Sequence, residues 1–479
     1  MKVLVVGGGT AGLITALILK TRFSSIELDI IKSDEIGIIG VGEGTTEHWS
    51  DFMRFTNISE DELIKETGAT MKGGIMFKDW TKHDYYHNTY GVFANLKLAQ
   101  YLGGYAFAIV NKLKSKEYTD PHAWNNLVTP SDPTNQYHFD TFKLNKFLLK
   151  KCEMNNINIY TDKIVKVNVK KNNIASVQSK SKKYKYDFYI DSTGFKRILI
   201  SKLGAKWNSY KKYLPMNEAI AFPTEDTSEY TPYTTARAMS SGWMWRIPTN
   251  GRWGNGYVFN NKYINASQAK KECEKYLGKK IEIGKNIKFE AGALDKPWIG
   301  NCVATGLSSS FIEPLEASSI GTSIQQAYLL MHFITNYNQS DIDLYNQKFK
   351  TIVENIRDFV LLHYMTNKKD SKFWREYKRN LPSSLESNLR KWKKRLPIKE
   401  DFDGEYNLFN SENFSIILKE LKLIDVKSIK KEFDNLSKRY KNYLYDKIKR
   451  QKEWDNKVKA ISHKQYIKIV TERNLYEYN

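Results

Sequence analysis

The sequence is poor in cysteine, in long hydrophobic runs and in low-complexity linkers. Its 479 residues include three cysteines with neither the spacing of a metal site nor an evident pairing, so we expect reduced thiols, a cytoplasmic protein and no metal. No apolar run is long enough to span a bilayer, and the chain starts on Lys2-Val-Leu-Val-Val, a strand pattern and not a signal peptide. We therefore expect no membrane partner. Because no internal repeat or Pro/Ser-rich boundary occurs, we expect one large domain or two closely packed ones.

Positive charge, in contrast, is abundant. The formal net charge is +22, and basic residues become denser towards the C-terminal part, as in Arg390-Lys-Trp-Lys-Lys-Arg395. Such charge attracts nucleic acid or acidic partners. No nucleic-acid motif accompanies it, so we interpret the charge as solvated helix faces and expect no nucleic-acid partner.

A nucleotide-binding turn is the first functional pattern in the chain. An apolar strand runs into a G-x-G-x-x-G motif that opens an apolar helix. The glycines of such a motif permit a tight turn, close approach to a pyrophosphate and close packing of helix on strand. The next strand ends at Lys32, where an acid commonly binds a ribose, with Asp34 and Glu35 just beyond, so the ribose contact stays open. The predicted cofactor-binding residues of the turn are Gly7, Gly8, Gly9, Thr10, Ala11 and Gly12.

A second glycine-rich loop and a later return strand favour FAD over NAD. The loop runs from Ile39 to Thr46, and we interpret Gly42, Glu43 and Gly44 within it as a second backbone surface for the cofactor. After a predicted three-stranded meander, the strand from Phe188 to Asp191 returns the chain to the nucleotide-binding sheet. This order of elements is typical of flavoproteins.

The stretch from Gly306 to Gly321 combines a glycine turn, the carboxylate of Glu316 and two serines ahead of an apolar run with helical spacing. We predict a helix that begins here, with Ser318 and Ser319 as caps. Unpaired amides and the positive end of the helix dipole make such a start a site for a small anion. An ordinary capped helix is the alternative.

Two other segments are ambiguous by themselves. Lys72 lies within a strand-like alternating stretch, so it either reaches the surface or is buried and functional, and the surface position is the commoner outcome. Trp243 and Trp245 alternate along a predicted strand and therefore share one face. That face forms either ordinary core or a wall beside a ligand.

Together these segments resemble the flavin-dependent halogenases of the tryptophan halogenase type. The similarity covers roughly the first four-fifths of the chain, in the right order. W-x-W-x-I-P, formed by Trp243, Trp245, Ile247 and Pro248, looks like the mark that separates halogenases from ordinary flavin monooxygenases. The matching segments are G-G-G-T-A-G at Gly7 to Gly12, V-G-E-G-T at Val41 to Thr45, K-x-G-I-x-F-x-x-W at Lys72 to Trp80, D-S-T-G-F at Asp191 to Phe195, W-M-W-R-I-P at Trp243 to Pro248, N-C-V-A-T-G-L through F-I-E-P-L-E at Asn301 to Glu316, and the segments from Ile356 to Tyr364 and Asp370 to Trp374.

The resemblance implies an α/β fold: an FAD-binding, Rossmann-like fold of the glutathione-reductase type, as in flavin monooxygenases, with an added mostly helical substrate region. Residues 1–335 would form the FAD-binding core, with substrate-facing strands inserted around 60–130 and 205–295. Residues 336–479 would form a helical region that packs on it, and a homo-oligomer contact is the alternative for its basic tail. Further cofactor-binding residues implied are Ile164, Leu307 and Ile320.

The resemblance also implies a two-component reaction. A separate flavin reductase supplies reduced FAD (FADH2), which with oxygen and a halide ion gives hypohalous acid, while the W-x-W-x-I-P wall blocks direct oxygen transfer to the substrate. The acid then reaches Lys72, which activates it by hydrogen bonding or as a haloamine, with Glu316 as an orienting group or base. Amides of Ser318 and Ser319 bind the halide. The substrate would be a small electron-rich aromatic of the indole, phenol or pyrrole type.

The chain departs from the family pattern at two places. The family usually has E-S-T-G or E-S-T-S where this chain has Glu316-Ala-Ser-Ser319, so a hydroxyl is lost, and a preference for bromide or iodide becomes a hypothesis. The segment from Leu408 to Phe414 only loosely matches the family's L-F…S-W element, so free tryptophan is not a safe assignment. A single-component flavin hydroxylase and a non-catalytic basic flavoprotein are the alternatives.

Overall fold

The structure is a computed structural model, and it describes residues 1–38, 43–88, 104–114, 120–131 and 134–472. Gly42 and the side chain of Glu43, both predicted to contact the cofactor, lie outside the described residues. In the part of the chain that the structure describes, no helix is long and apolar enough to cross a membrane.

The helices and strands alternate through the first two-thirds of the chain, and helices dominate afterwards. The strands are β1 (Lys2–Val6), β2 (Glu27–Lys32), β3 (Glu43–Gly44), β4 (Thr70–Met71), β5 (Ile75–Lys78), β6 (Tyr85–His87), β7 (Leu127–Val128), β8 (Tyr137–Phe139), β9 (Asn158–Thr161), β10 (Lys166–Lys170), β11 (Asn173–Gln178), β12 (Lys183–Tyr184), β13 (Phe188–Asp191), β14 (Trp207–Ser209), β15 (Glu218–Glu225), β16 (Thr234–Met239), β17 (Gly242–Thr249), β18 (Arg252–Phe259), β19 (Lys285–Lys288), β20 (Gly292–Leu294), β21 (Trp298–Ile299), β22 (Cys302–Ala304), β23 (Ser310–Phe311) and β24 (Ile461–Ser462). The α-helices are α1 (Thr10–Arg22), α2 (His48–Thr56), α3 (Glu60–Thr67), α4 (Gly104–Val110), α5 (Pro121–Trp124), α6 (Thr141–Met154), α7 (Ala266–Leu277), α8 (Ser318–Met331), α9 (Gln339–His363), α10 (Lys372–Glu376), α11 (Ser383–Trp392), α12 (Ser411–Glu420), α13 (Val426–Asp434), α14 (Lys438–Lys457) and α15 (His463–Glu472).

A six-stranded sheet in the order β21-β22-β13-β1-β2-β9 contains the N-terminal strand. β1 lies between β2 and β13, pairs with both in parallel, and buries its last four residues. Gly7 turns the chain from β1 into α1 at φ +117°, where a Cβ would lie 2.1 Å from the carbonyl oxygen of Ser192, so the position requires glycine. Parallel strands joined by a packed helix form the Rossmann-like α/β arrangement that the glycine motif predicts.

The meander predicted before the return strand is present. β10, β11 and β12 form a three-stranded antiparallel sheet, and they lie in the chain between β9 and β13, both of which belong to the six-stranded sheet. The sequence of nucleotide turn, meander and return strand is therefore the one expected of an FAD-type flavoprotein.

A seven-stranded sheet in the order β19-β15-β18-β17-β16-β5-β6 is formed from both predicted insertions. β16 pairs in parallel with β5, with Thr234 opposite Ile75, and antiparallel with β17. A single strand therefore separates the segment that follows Lys72 from the strand that carries Trp243 and Trp245.

A small sheet, in the order β3-β8-β4, brings together three segments that are distant in the sequence. Gly44 pairs with His138, and Met71 pairs with Tyr137. Because Lys72 follows Met71 directly, this sheet places the lysine beside the end of the second glycine-rich loop.

One hydrophobic cluster extends from Val3 to Val470 and includes residues of most helices. The C-terminal tail contributes Ile429, Phe433 and Leu444 to it, so the tail packs on the body of the protein. The cluster runs across residue 335, and the division into a core of residues 1–335 and a helical region of residues 336–479 stays a prediction.

Candidate active site

The start of α1 offers open backbone amides. Gly9 precedes the helix without any side-chain cap, and a Cβ built on it would meet nothing within 4 Å. On the other side of this turn, Gly306 at φ +58° approaches so closely that a Cβ would lie 2.4 Å from the Cβ of Ala11. Free amides at a positive helix end suit a pyrophosphate, so these residues fit the adenine-dinucleotide part of FAD.

The other predicted cofactor residues lie in different surroundings. Ile164 and Leu307 are half-buried and Ile320 is buried. At the end of β2, Lys32 forms an ion pair with Asp34, and Glu35 lies 2.6 Å from the ammonium of Lys163. Each of the two acidic side chains just beyond β2 is therefore paired with a lysine.

Lys72 is buried, with 2% of its surface exposed, so the surface position suggested by base rates is wrong. It lies between β4 and β5, where its backbone N–H donates to the carbonyl of Gln136 at 2.8 Å. Its ammonium donates to the carbonyl oxygen of Thr45 and, at 3.1 Å, to Oε1 of Gln136. Among the described residues these two acceptors occupy two of the three N–H bonds of the ammonium, which leaves one N–H for a bound molecule.

The charge of Lys72 is finely balanced. Burial lowers the pKa of its ammonium to about 8, although the carboxylates of Glu316 and Glu47 act in the opposite direction. Most molecules therefore carry a protonated lysine at neutral pH, and its desolvated N–H is a strong hydrogen-bond donor.

Glu316 is held by two histidines. Its Oε2 accepts a hydrogen bond from Nδ1 of His87 at 2.9 Å, and its Oε1 lies 2.7 Å from Nε2 of His363, an ion-pair distance at which the N–H is not directed along the contact. Burial by itself raises the pKa of this carboxyl, but the contacts with His87 and His363 outweigh it and lower the pKa to about 2. Glu316 is therefore ionised.

Further contacts orient both imidazoles. Nε2 of His87 lies 3.1 Å from the side-chain amide nitrogen of Asn413, and Nδ1 of His363 lies 3.2 Å from the hydroxyl of Tyr85. Burial lowers the pKa of His363. The amide of Asn413 and the hydroxyl of Tyr85 are placed to donate to these ring nitrogens, and the other nitrogen of each ring lies towards Glu316. Sequence reasoning missed both histidines; the only signal for His363 was its place in the family-like segment that ends at Tyr364.

Glu316 and Lys72 lie close without a direct ion pair. The two are linked through Gly44, since a Cβ on Gly44 would lie 3.4 Å from Cδ of Lys72 and 3.5 Å from the Cβ of Ala317, the neighbour of Glu316. Gly44, predicted to contact the cofactor, thus packs between the lysine and the carboxylate turn. A Cβ at this position would make ordinary van der Waals contacts with both neighbours.

The helix predicted after Glu316 is α8, but the predicted serine caps are wrong. Ala317 occupies the capping position at φ +51°, and its side chain cannot accept a hydrogen bond from the first turn. Ser318 and Ser319 lie inside that turn; Ser318 is buried and Ser319 is exposed. The amides of the first turn thus lack a side-chain cap, which keeps them available to an anion.

Trp243 and Trp245 share one face of β17, as predicted. Both indoles are buried, with ring centroids 6.1 Å apart, and neither N–H reaches an acceptor in the described part of the chain. The ring of Trp245 lies against Gly256, where a Cβ would be 2.0 Å from the ring. Ile247 and Pro248 are also buried, and the carbonyl of Pro248 accepts a 2.7 Å hydrogen bond from Thr70, two residues before Lys72.

Glu313 is a second buried carboxyl that sequence reasoning did not single out. Tyr364 donates its hydroxyl hydrogen bond to Oε1, and the indole of Trp243 lies beside both groups. Oε2 has no well-directed donor among the described residues. Burial therefore raises the pKa of Glu313 to about 7.

The fold is that of an FAD-binding flavoprotein of the monooxygenase type, as the sheet order, the glycine turn, the meander and the return strand indicate. The candidate active site in this fold consists of the buried lysine, the carboxylate and the two indoles. Residues 2–432 match the sequence model of the tryptophan halogenases, and the chain belongs to this family. It is accordingly a flavin-dependent halogenase, an oxidoreductase.

Individual relatives cover nearly the whole chain. The chain is 29% identical over 468 residues to the 7-chloro-L-tryptophan 6-halogenase KtzR of Kutzneria sp. (strain 744), covering 86% of this chain and 89% of that protein. It is 28% identical over 518 residues to the tryptophan 6-halogenase SttH of Streptomyces toxytricini, covering 95% and 97%. Among solved structures, Tar14, a tryptophan C-6 flavin-dependent chlorinase from taromycin biosynthesis, superposes with a TM-score of 0.88 at 25% identity, covering 98% and 99%.

Proposed function

We propose that this halogenase transfers an electrophilic halogen to a small electron-rich aromatic at Lys72, with an indole such as tryptophan as the first candidate substrate. The relatives named above act on tryptophan or on a chlorotryptophan, which supports an indole. One observation carries the proposal: a buried lysine with one N–H left for a ligand lies beside an ionised buried carboxylate.

The glycine turn from Gly7 to Gly12, with Leu307 and Ile320 opposite it, would hold FAD. Reduced FAD with oxygen supplies the oxidising equivalent that converts halide into hypohalous acid. The uncapped amides of Ser318 and Ser319 would hold the halide, because they lie at the positive end of α8. The buried face of Trp243 and Trp245 would exclude water and keep the substrate from direct oxygen transfer.

At Lys72 the remaining N–H donates a hydrogen bond to the oxygen of hypohalous acid and polarises the bond between oxygen and halogen. An aromatic carbon then forms the carbon–halogen bond while the oxygen–halogen bond breaks, and the departing oxygen takes the proton that Lys72 donates and leaves as water. Glu316 takes the proton from the halogenated ring carbon. A covalent haloamine on Lys72 is the second way in which the same side chain would deliver the halogen.

A separate flavin reductase would supply the reduced cofactor. The single-component hydroxylase makes the opposite prediction, because it oxidises NADH itself and gives hydroxylated products. Incubating the protein with NADH and FAD, with and without an unrelated reductase, distinguishes the two: halogenation that requires the added reductase supports the two-component assignment.

Mass spectrometry of a panel of indoles and phenols tests the proposal. Each reaction contains FAD, NADH, reductase, oxygen and one halide, and wild type is compared with Lys72→Ala and with Lys78→Ala, a half-buried lysine on β5, as the matched control. We expect halogenated products that Lys78→Ala retains and Lys72→Ala loses. Equal product from Lys72→Ala would show that free hypohalous acid does the chemistry in solution and would refute the role of Lys72.

The halide preference is tested separately by competition among chloride, bromide and iodide. Ala317 replaces the family's serine beside Glu316, so we expect the more easily oxidised bromide or iodide to be favoured over chloride. The Ala317→Ser variant should shift the ratio towards chloride. A wild type that clearly prefers chloride contradicts this expectation.

A further inference from the structure

The C-terminal segment of residues 461–470 reaches the catalytic lysine's surroundings. Its first two residues form β24, which pairs with β7, with Ile461 opposite Val128 and Ser462 opposite Leu127. The helix α15 then packs against α3. The family match ends at residue 432, so this segment lies beyond the part of the chain that the family model covers.

His463 contacts the strand that carries Lys72. It is fully buried, and its Nε2 accepts a hydrogen bond from the backbone N–H of Met71 at 2.9 Å, across 392 residues of sequence. Burial lowers the pKa of His463 to about 3, so the ring stays neutral and keeps this acceptor. The ring also packs nearly perpendicular to that of Tyr230, with the ring centroids 6.0 Å apart.

Tyr466 contacts the neighbouring strand through Glu60. The hydroxyl of Tyr466 donates to Oε1 of Glu60 at 2.7 Å, and the hydroxyl of Tyr137 donates to Oε2 at 2.7 Å. Tyr137 follows Gln136, whose side chain accepts from the ammonium of Lys72. One carboxylate therefore joins the tail helix to the strand that presents the lysine's partner.

We propose that residues 461–470 are a positioning element of the active site, in which His463 fixes the backbone next to Lys72 and Tyr466 fixes the backbone next to Gln136. The two strands are held independently, from the same piece of chain. The proposal rests on the function proposed for Lys72, and it adds that the C-terminal tail sets where that lysine stands.

The geometry around Lys72 explains why such a support matters. The lysine meets Gln136 twice, through its backbone N–H at 2.8 Å and its ammonium at 3.1 Å. A shift of either strand by about 1 Å breaks these contacts and redirects the free N–H, and misplacements of that size commonly cost about a hundredfold in rate. Short strands of two and three residues do not resist such a shift alone.

The experiment uses the full-length protein and three variants. His463→Leu removes the hydrogen-bond acceptor and replaces the imidazole by a side chain of similar size. His463→Gln keeps an acceptor oxygen at about the position of Nε2. Tyr466→Phe removes a single hydroxyl, and it is the variant to test if His463→Leu does not fold. Lys468→Ala, at an exposed site on α15, is the control. Hydrogen–deuterium exchange of the peptides around Met71 and Tyr137, the turnover number and KM, and thermal unfolding are measured for each.

For His463→Leu we expect exchange at Met71 to rise at least tenfold and the turnover number to fall about tenfold, with KM for the aromatic nearly unchanged. His463→Gln should recover most of both, and Lys468→Ala should match wild type. Unchanged exchange at Met71, no rescue by glutamine, or losses that merely follow the unfolding temperature would overturn the proposal. Hydrogen–deuterium exchange is measured without substrate turnover, so it does not depend on the proposed function. A Lys72→Ala enzyme that stays active would refute the proposed function and would leave the exchange test unchanged.

Discussion

Glu313 and Glu316 are two carboxyl groups three residues apart in the chain. They are buried to nearly the same extent, but their pKa values are shifted in opposite directions. Their exposed fractions are 0% and 2%, and both flank the same short turn. The pKa of Glu316 is lowered to about 2, whereas that of Glu313 is raised to about 7. Burial is therefore not what distinguishes them.

The groups that contact each carboxyl make the difference. Glu316 has an imidazole on each oxygen, and these contacts outweigh its desolvation. Glu313 has one tyrosine hydroxyl and an indole N–H that is poorly aligned, which is too little to offset burial. His363 and Tyr364 are adjacent in the chain, so one end of α9 supports both carboxyls, each in a different way.

Replacing each carboxyl by its amide should produce the largest contrast. Glu316→Gln removes the ionised group that we propose takes the ring proton, so we expect halogenated product to fall by about 10²–10⁴-fold. Glu313→Gln keeps an acceptor for Tyr364 and should retain most of the activity. Product formation by mass spectrometry, with flavin oxidation followed in parallel, checks both variants. Equal losses would mean that the two carboxyls share one role.

Removing one histidine should raise the pKa of Glu316 towards that of Glu313. In His363→Leu one of the two lowering contacts is lost, so the pKa of Glu316 should rise. A base with a raised pKa is protonated as the pH falls, and we expect product formation to drop about tenfold near pH 6 and to recover partly at higher pH. The pH–rate profile measures this, with His83→Leu, at an exposed histidine, as the control. A uniform loss at every pH would point to misfolding of the site instead.

The raised pKa of Glu313 should make the free energy of unfolding depend on pH. Its pKa of about 7 in the folded protein lies above its usual 4.5, so the folded state binds the proton more tightly than the unfolded chain and loses stability as the pH rises through this range. Glutamine cannot ionise. Glu313→Gln should match wild type near pH 5 and exceed it by about 1–3 kcal/mol near pH 8 in denaturant unfolding. A constant difference at both pH values would contradict the raised pKa.

The smallest effect is expected from Trp243→Phe. Loss of the indole N–H removes a weak donor beside Glu313, so the midpoint of its pH-dependent stability should move upward by about one pH unit or less. The measurement is the same unfolding series, and Trp245→Phe, on the same face of β17, serves as the control. A downward shift would mean that the indole opposes ionisation.

Sequence patterns predicted much of this architecture because they record local geometry. The glycines from Gly7 to Gly12 announce a turn between strand and helix, and the return strand at Phe188 places that turn in a flavoprotein sheet. Family-like segments pointed to Lys72, Glu316 and the two indoles. The helix start after Glu316 was predicted correctly, but the predicted serine caps are wrong, because the choice between Ser318 and Ala317 as the capping residue depends on the backbone conformation.

The sequence patterns did not predict the pKa values of the buried groups at the site. His87 lies 229 residues from Glu316 in an aromatic stretch without a clear period, and nothing local links the two. His463 reaches Met71 across 392 residues. Periodicity and turn residues determine elements and their order from neighbouring positions, and this much the amino-acid sequence specified by itself. The lowered pKa of Glu316, the raised pKa of Glu313 and the contacts around Lys72 depend on which groups meet through space in a buried interior, and only the tertiary structure decided them.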